Sequence, residues 1–222
     1  MKYTIITILI IALLVGVGFY LFGKKDANIP VVEQGSDLPA ETPANSFVID
    51  TARSNINWYG EMVGIKSHTG TIKLSGGQGS IENDVITGGS FVINMTTIKD
   101  NDNSERLETH LKSDDFFSVE TYPEATFEIT NITKTPIAPA DYTVTGDLTI
   151  KGKTNEVTFP AKIARQEDNT FIATGEVEID RSLWDVRYGS DSFFDNLGDS
   201  VISNTVKLGL FLVTNPVATI SE

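Results

Sequence analysis

From Phe47 onward the chain alternates apolar and polar residues with a period of two, run after run, and this pattern constrains its fold more than any other feature. Successive side chains of a strand point to opposite faces, so such alternation marks a strand buried on one side. Runs at about 46–50, 54–63, 69–75, 89–98, 124–132, 141–151, 155–165, 170–180 and 203–214 read as strands, most of them separated by Gly, Pro, Asn or Asp. Helical spacing is confined to about 104–112. Eight or nine short strands following one another as hairpins predict an antiparallel sandwich or barrel and exclude a βαβ sheet. Gly76-Gly77, Gly152-Lys153 and Asp168-Asn169 read as hairpin turns.

The alternation also says what faces inward. Phe91, Ile93 and Met95 line one side of their strand, and Ala125, Phe127 and Ile129 one side of the next. Tyr142, Val144, Gly146, Leu148 and Ile150 continue the row, followed by Val157, Phe159, Ala161 and Ile163, then by Phe171, Ala173, Gly175, Val177 and Ile179. Opposite them stand mostly Thr, Glu, Lys and Asp. Eight strands enclose just enough space for side chains or for one ligand, and Gly146, Ala161, Ala173 and Gly175 leave width. A filled core and a ligand tunnel both satisfy the pattern.

Glu105 to Phe127 combines three local signals. Ser104 can cap a short helix, Leu107 and Leu111 share a face of it, and Lys112 sits near its negative end. Ser113, Asp114 and Asp115 favour a turn, Phe116 and Phe117 supply apolar anchors, and Tyr122-Pro123 forces an extended or turn conformation before the next strand. The run Glu105-Arg106, His110-Leu111-Lys112-Ser113, Asp115-Phe116-Phe117, Tyr122-Pro123 and Ala125-Thr126-Phe127 resembles the signature of the YceI-like family, bacterial lipid- or polyisoprenoid-binding proteins. A second block agrees, Thr145-Gly146-Asp147-Leu148-Thr149-Ile150-Lys151-Gly152 followed by Val157-Thr158-Phe159, and the similarity extends roughly from Phe47 to Val213. The resemblance implies a lipocalin-like barrel around an elongated apolar tunnel.

The expected architecture is therefore all-β: an antiparallel eight-stranded lipocalin-like β-barrel with a short helix at about 104–112, preceded by a single N-terminal transmembrane helix. Tyr3 to Phe22 is an uncharged stretch of 20 residues, long enough at about 1.5 Å per residue to cross about 30 Å of hydrocarbon. A secretory signal usually has a shorter apolar region and an A-x-A-like cleavage site, and neither is seen, so residues 1–25 read as a retained anchor, with an uncleaved or cleaved signal as the alternative. Lys2 against Lys24 and Lys25 nearly balances the positive-inside rule. Family resemblance and a translocated acidic body favour a cytoplasmic-membrane, single-pass placement with the barrel on the extracytoplasmic side, periplasmic or external. Residues 26–45, with Pro30, Pro39 and Pro43 among acidic residues, read as an extended tether; 46–215 is the barrel domain and 216–222 a tail.

All 30 acidic residues follow position 25, whereas three of the 17 basic ones (Lys2, Lys24 and Lys25) lie within the first 25, leaving 14 minus 30, or −16, on the remainder. So acidic a body excludes nucleic acid as an expected partner, since neutralising phosphates needs clustered Lys and Arg. With no cysteine there are no disulfides, thiol catalysis, Cys-based zinc sites or N-terminal lipidation at cysteine. Gly146 to Thr154 ends in Gly-Lys-Thr, but its glycine spacing and following strand do not make a phosphate-binding loop. Asp100 to Ser104 resembles a calcium loop for five positions, then has Glu105 where the turn needs Gly and Leu111 where the bidentate Glu belongs, so it reads as a turn capping the helix. With two histidines, His68 and His110, and no nucleophile elbow, neither a His-rich metal site nor a hydrolytic triad is expected.

The functional expectation is a non-enzymatic, membrane-tethered carrier or scavenger of a long apolar molecule such as a polyisoprenoid, an isoprenoid quinone or a related lipid, with no other cofactor. Candidate tunnel residues are Phe91, Ile93, Met95, Phe116, Phe117, Phe127 and Ile129, then Val144, Leu148, Phe159, Phe171, Val177, Trp184 and Phe194. The last two sit in a long excursion, Arg181 to Ser203, that reads as a lid with Arg–Asp ion pairs or as an aromatic mouth. His110, Arg181 and Arg187 are head-group candidates. Trp58 reads as packing and Asp115 as a turn or capping residue. An enzyme on a lipid-like substrate, built on His110 with Asp115 or Arg181, and a filled barrel serving as a partner-binding or stress module are the alternatives. Homodimerisation is compatible with the resemblance and is not specified by the sequence.

Overall fold

Each alternating run becomes a strand in the computed structural model, which describes residues 45–83, 85–135 and 138–217. In chain order these are β1 (Ser46–Val48), β2 (Asn55–Met62), β3 (Lys66–Glu82), β4 (Val85–Asp100), the helix α1 (Glu105–Lys112), β5 (Glu124–Lys134), β6 (Tyr142–Ile150), β7 (Lys153–Arg165), β8 (Phe171–Asp180) and β9 (Thr205–Val213). The order β3-β2-β9-β8-β7-β6-β5-β4 is antiparallel throughout, and β3 pairs with β4 to close an eight-stranded barrel. The ninth strand, β1, is an adjunct. It pairs with the last part of β3 (Ser46↔Ser80), whereas β2 pairs with the first part (Ile56↔Ile72), so the two share one edge of a single long strand.

The length of β3 corrects one expectation. Gly76-Gly77 is not a hairpin but lies inside the strand, which runs on to Glu82 before the chain turns at Asn83 (φ 50°). Gly77 and, further along, Gly79 serve close approach, whereas a Cβ at Gly76 would meet open space. The register between β3 and β4 shifts between Leu74 and Gly76, a methyl group at Gly77 would meet Ile49 and Phe91 at 2.9 Å, and one at Gly79 would overlap the Gly88 carbonyl oxygen and press on the Phe47 ring. Of the other two turns, the one expected at Gly152-Lys153 falls one residue earlier, at Lys151-Gly152, both at positive φ, because Lys153 already pairs with Ile150; the other is found at Asp168-Asn169, where Asp168 Oδ1 accepts from the Thr170 N–H and Oγ1.

Helix α1 spans eight residues. Ser104 Oγ accepts the Leu107 N–H at 3.4 Å, and Asp100 Oδ2 accepts the Ser104 N–H at 3.1 Å, so the segment resembling a calcium loop does cap the helix. Residues 3–22, read as a membrane span, nearly all of the 26–45 tether and most of the tail lie outside the described residues. Among the described residues, no helix is long and apolar enough to cross a membrane. Contacts divide the chain into Met1–Ala40 and Glu41–Glu222, and the second has an apolar core of its own, formed among the described residues by side chains from Phe47 to Val217.

The two glycine positions give a paired test. Gly79→Ala is expected to lower stability by about 1–3 kcal/mol through overpacking at the β3–β4 seam. Gly88→Ala, where Ser80 Oγ at 3.6 Å is the nearest neighbour, is expected to cost less. Urea unfolding of residues 41–222 checks the difference.

Candidate ligand-binding site

The strands carry their inward side chains along the barrel axis in the same order, and two chambers follow one another between them. The narrower, of about 110 Å³, lies toward the end where β8 begins and β9 finishes, and Phe47, Ile49, Phe171 and Leu212 line it there. A chain of aromatic contacts runs around it, Phe47 to Phe91 at 6.5 Å, Phe91 to Phe127 at 6.3 Å and Phe127 to Phe159 at 5.9 Å. The larger, of about 400 Å³, lies toward the end covered by α1. Ile56, Ile93, Leu148 and Leu208 line both chambers and form the waist between them. The larger volume falls within the roughly 300–1,000 Å³ of small-molecule sites and exceeds the roughly 150 Å³ of an apolar cavity that holds benzene.

Among the described residues, ionisable side chains line the chamber at the α1 end, whereas Thr174 and Thr214 are the polar residues of the narrow one. Leu107 and Leu111 of α1 face the large chamber, and His110 stands beside them with Nε2 3.1 Å from Asp115 Oδ2. Its ring meets Tyr188 edge-on at 4.5 Å and Phe116 at 5.0 Å, joining the helix to the 181–203 loop. His68 lines the same chamber with Nδ1 3.3 Å from the buried Asp100 carboxylate. Trp58 packs here and donates its Nε1–H to Lys99 O. Exposed Val63 and Ile65, at the tip of the β2–β3 hairpin, complete an apolar rim on that side.

The 181–203 loop is a lid pinned by side chains. Arg181, 3% exposed, donates from Nε to Ser203 O, from Nη1 to Val186 O and from Nη2 to Ile202 O, tying both ends of the excursion together. Trp184, 1% exposed, donates its Nε1–H to Leu148 O on β6. Burial pushes the Arg181 guanidinium down from its usual value. The expected Arg–Asp pairing is found at Arg187 and Asp185, 2.6 Å apart, but not at Arg181.

Of the tunnel candidates, Phe91, Phe127, Ile129, Val144, Phe159, Phe171 and Val177 line the narrow chamber, Met95, Phe116, Phe117 and Trp184 the large one, and Ile93 and Leu148 both. Phe194 lines neither and is 49% exposed. Among the head-group candidates, His110 and Arg181 reach the large chamber; Arg187 points outward, its guanidinium 5.0 Å over the Phe193 ring. Their spacing in a long loop could not separate the inward Arg181 from the outward Arg187. Ile56 on β2, His68 on β3 and Leu208, Leu210 and Leu212 on β9 also line the chambers, beyond the candidates expected from the sequence. The leucines alternate with Lys207, Gly209 and Phe211, a signal that was present in the pattern.

The YceI-like domain model matches residues 47–214. Protein YceI of Escherichia coli (strain UMN026) is 36% identical over 97 residues, 40% of this chain and 48% of that protein. A UPF0312 protein of Vibrio parahaemolyticus is 33% identical over 128 residues, 56% of this chain and 66% of that one. The chain thus spans about half to two thirds of the length of these relatives. The crystal structure of Burkholderia cenocepacia BcnA is similar at TM-score 0.60 and 26% identity, covering 75% of this chain and 99% of that one. A polyisoprenoid binding domain from Saccharophagus degradans, implicated in plant cell wall breakdown, shares the fold at TM-score 0.52 and 16% identity, covering 78% of this chain and 99% of its own.

The support beneath α1 has a pH dependence. Glu108 is buried on the helix, where its Oε1 accepts the Asp100 N–H at 3.1 Å and its Oε2 lies 3.0 Å from Lys99 Nζ. The backbone hydrogen bond from Asp100, then the Lys99 ammonium, hold its carboxyl below the ordinary value of 4.5. A carboxyl depressed on folding stabilises the fold above its unfolded value, and that contribution disappears as pH falls through the folded one. Glu108→Gln is therefore expected to be less stable than wild type at neutral pH, with the gap closing below about pH 4.5, as read by urea midpoints across that range.

Proposed function

This chain belongs to the YceI-like domain family, and from that premise we propose a membrane-tethered, extracytoplasmic binding protein whose barrel holds one long apolar molecule, a polyisoprenoid, isoprenoid quinone or related lipid. The observation that carries the reading is the pair of apolar chambers in line along the barrel axis, with ionisable side chains, among the described residues, lining the α1 end only. Such an interior suits a tail that enters from the α1 end, passes the waist at Ile93 and Leu148, and ends near Phe47 and Phe171. The polar end of the molecule stays beside His110, Tyr188 and Arg181. The uncharged stretch at 3–22 and the proline-containing tether support the placement outside the cytoplasmic membrane. The name of the Saccharophagus domain agrees with the ligand class.

Burial supplies the binding energy. Each CH₂ removed from water contributes about 0.8 kcal/mol, so a tail of about 40 carbons would gross over 30 kcal/mol, beyond the practical ceiling of roughly 18–21. Chain ordering and desolvation offset much of it. Tail length and fit past the waist then govern selectivity.

Native mass spectrometry of residues 41–222, with organic extraction, tests the proposal. A stoichiometric apolar molecule displaced by a polyprenyl competitor is expected; a mass that stays ligand-free when offered quinones, polyprenyl phosphates and fatty amides overturns it. Ile93→Trp, which fills the waist, is expected to weaken a polyprenyl ligand of about 40 carbons by roughly tenfold or more while a ten-carbon prenyl alcohol is retained.

A further inference from the structure

Three charged side chains are buried among the described residues: Asp100, Glu108 and Arg181. Asp100 faces His68 and the Ser104 N–H, and Glu108 faces Lys99 and the Asp100 N–H. Arg181 faces no carboxylate within ion-pair distance. Among the described residues, Asp180 and Asp191 act on it from beyond ion-pair distance, and their oxygens accept instead from the Ser182 N–H and the Asn204 amide. A buried charge ordinarily has a counter-charge, because taking an unpaired one out of water is costly.

The three backbone carbonyls that hold Arg181 offset part of that cost, but dipoles carry no net charge. A guanidinium has five N–H donors, and three atoms of this one each make one bond to a carbonyl, leaving donor capacity over. The group also lies 5.9 Å over the Phe116 ring, a wall of the large chamber, and itself lines that chamber. It is thus a fixed, desolvated fork at the end of an apolar cavity.

Resting on the reading of the barrel as an apolar-ligand site, we infer that Arg181 receives an anionic head group, a carboxylate or a phosphate monoester, on the amphiphile whose tail fills the two chambers. A planar fork already oriented by carbonyls suits either anion, and the low local dielectric strengthens the contact. The neighbours fit. His68 and His110 add hydrogen-bonding nitrogens at the same end, and Lys66 adds a cation at the rim. Glu61 shares the rim, but its carboxylate takes the Tyr59 hydroxyl at 2.6 Å from a residue on the outward-facing register of β2. The protein's net charge of −13 repels anions at long range, so the preference resides in equilibrium affinity at the buried site and not in faster capture. Among the ligand classes of the parent reading, prenyl phosphates and long-chain carboxylates are thereby favoured over neutral quinones.

Displacement of the neutral fluorescent probe N-phenyl-1-naphthylamine from residues 41–222 tests this, with dodecanoic acid, dodecyl phosphate, dodecanol and dodecylamine as competitors at neutral pH. The better anion is expected to compete about tenfold or more below the concentration needed for the alcohol, with the amine weakest, and the order of acid and phosphate tells the two heads apart. Equal competition by alcohol and anions overturns the inference and leaves the apolar-ligand reading standing. If neither the probe nor any competitor binds, that parent reading falls, and this one with it. Arg181→Met that still binds the probe is expected to lose the preference, and retention of the preference in that variant counts against the assignment. Loss of the preference in Lys66→Gln instead would move the site to the rim and overturn it as well.

Discussion

An open sheet has two edges, each a row of N–H and C=O groups that must find partners, and an eight-stranded sheet escapes the problem by pairing its edges with each other. Here that closure falls on β3 and β4, which pair from Glu82↔Val85 at the hairpin to Gly70↔Asp100 at the far end. The pairing is irregular, with three shifts of register, and these bend the strands where the barrel must curve. Everything enclosed depends on it: without the β3–β4 seam there is no inside for the aromatic contacts from Phe47 to Phe159 to line, and no end for α1 to cover.

Most of the strand frame was legible because each strand alternates on its own, without reference to distant residues. Phe159, Val177 and Leu148 could be placed inward from their neighbours in sequence. The helix was legible too, since Ser104, Leu107 and Leu111 act within two turns of chain. The extent of β3 was not. A Gly-Gly pair carries the same local signal in a turn as in a strand whose second glycine is pressed against Phe91 and Ile49; only the packing of β4 and of the chain just past β1 distinguishes them. Local information ends where tertiary contact decides.

The site divides along the same line. Inward strand residues were found, whereas the excursion at 181–203 could not be resolved, because an arginine in a loop has no periodicity to orient it. Arg181 is drawn in by carbonyls from Val186, Ile202 and Ser203, while Arg187, six residues later, pairs with Asp185 in solvent. His68 was passed over for a related reason: its place at the large chamber follows from the pairing of β2 with β3 and from its contact with Asp100, 32 positions away.

The chambers have a bearing on how long the molecule survives. Folded proteins are ordinarily filled to the density of organic crystals, and lining atoms that face a void forgo the contacts such filling provides. On the proposed function, a guest would supply those contacts around the waist at Ile93 and Leu208 and complete the core after the chain has folded. Any molecule that binds only the folded state lowers the population open to proteolysis. The standing amount of this protein would then rise and fall with the supply of its guest, making abundance itself a record of that supply.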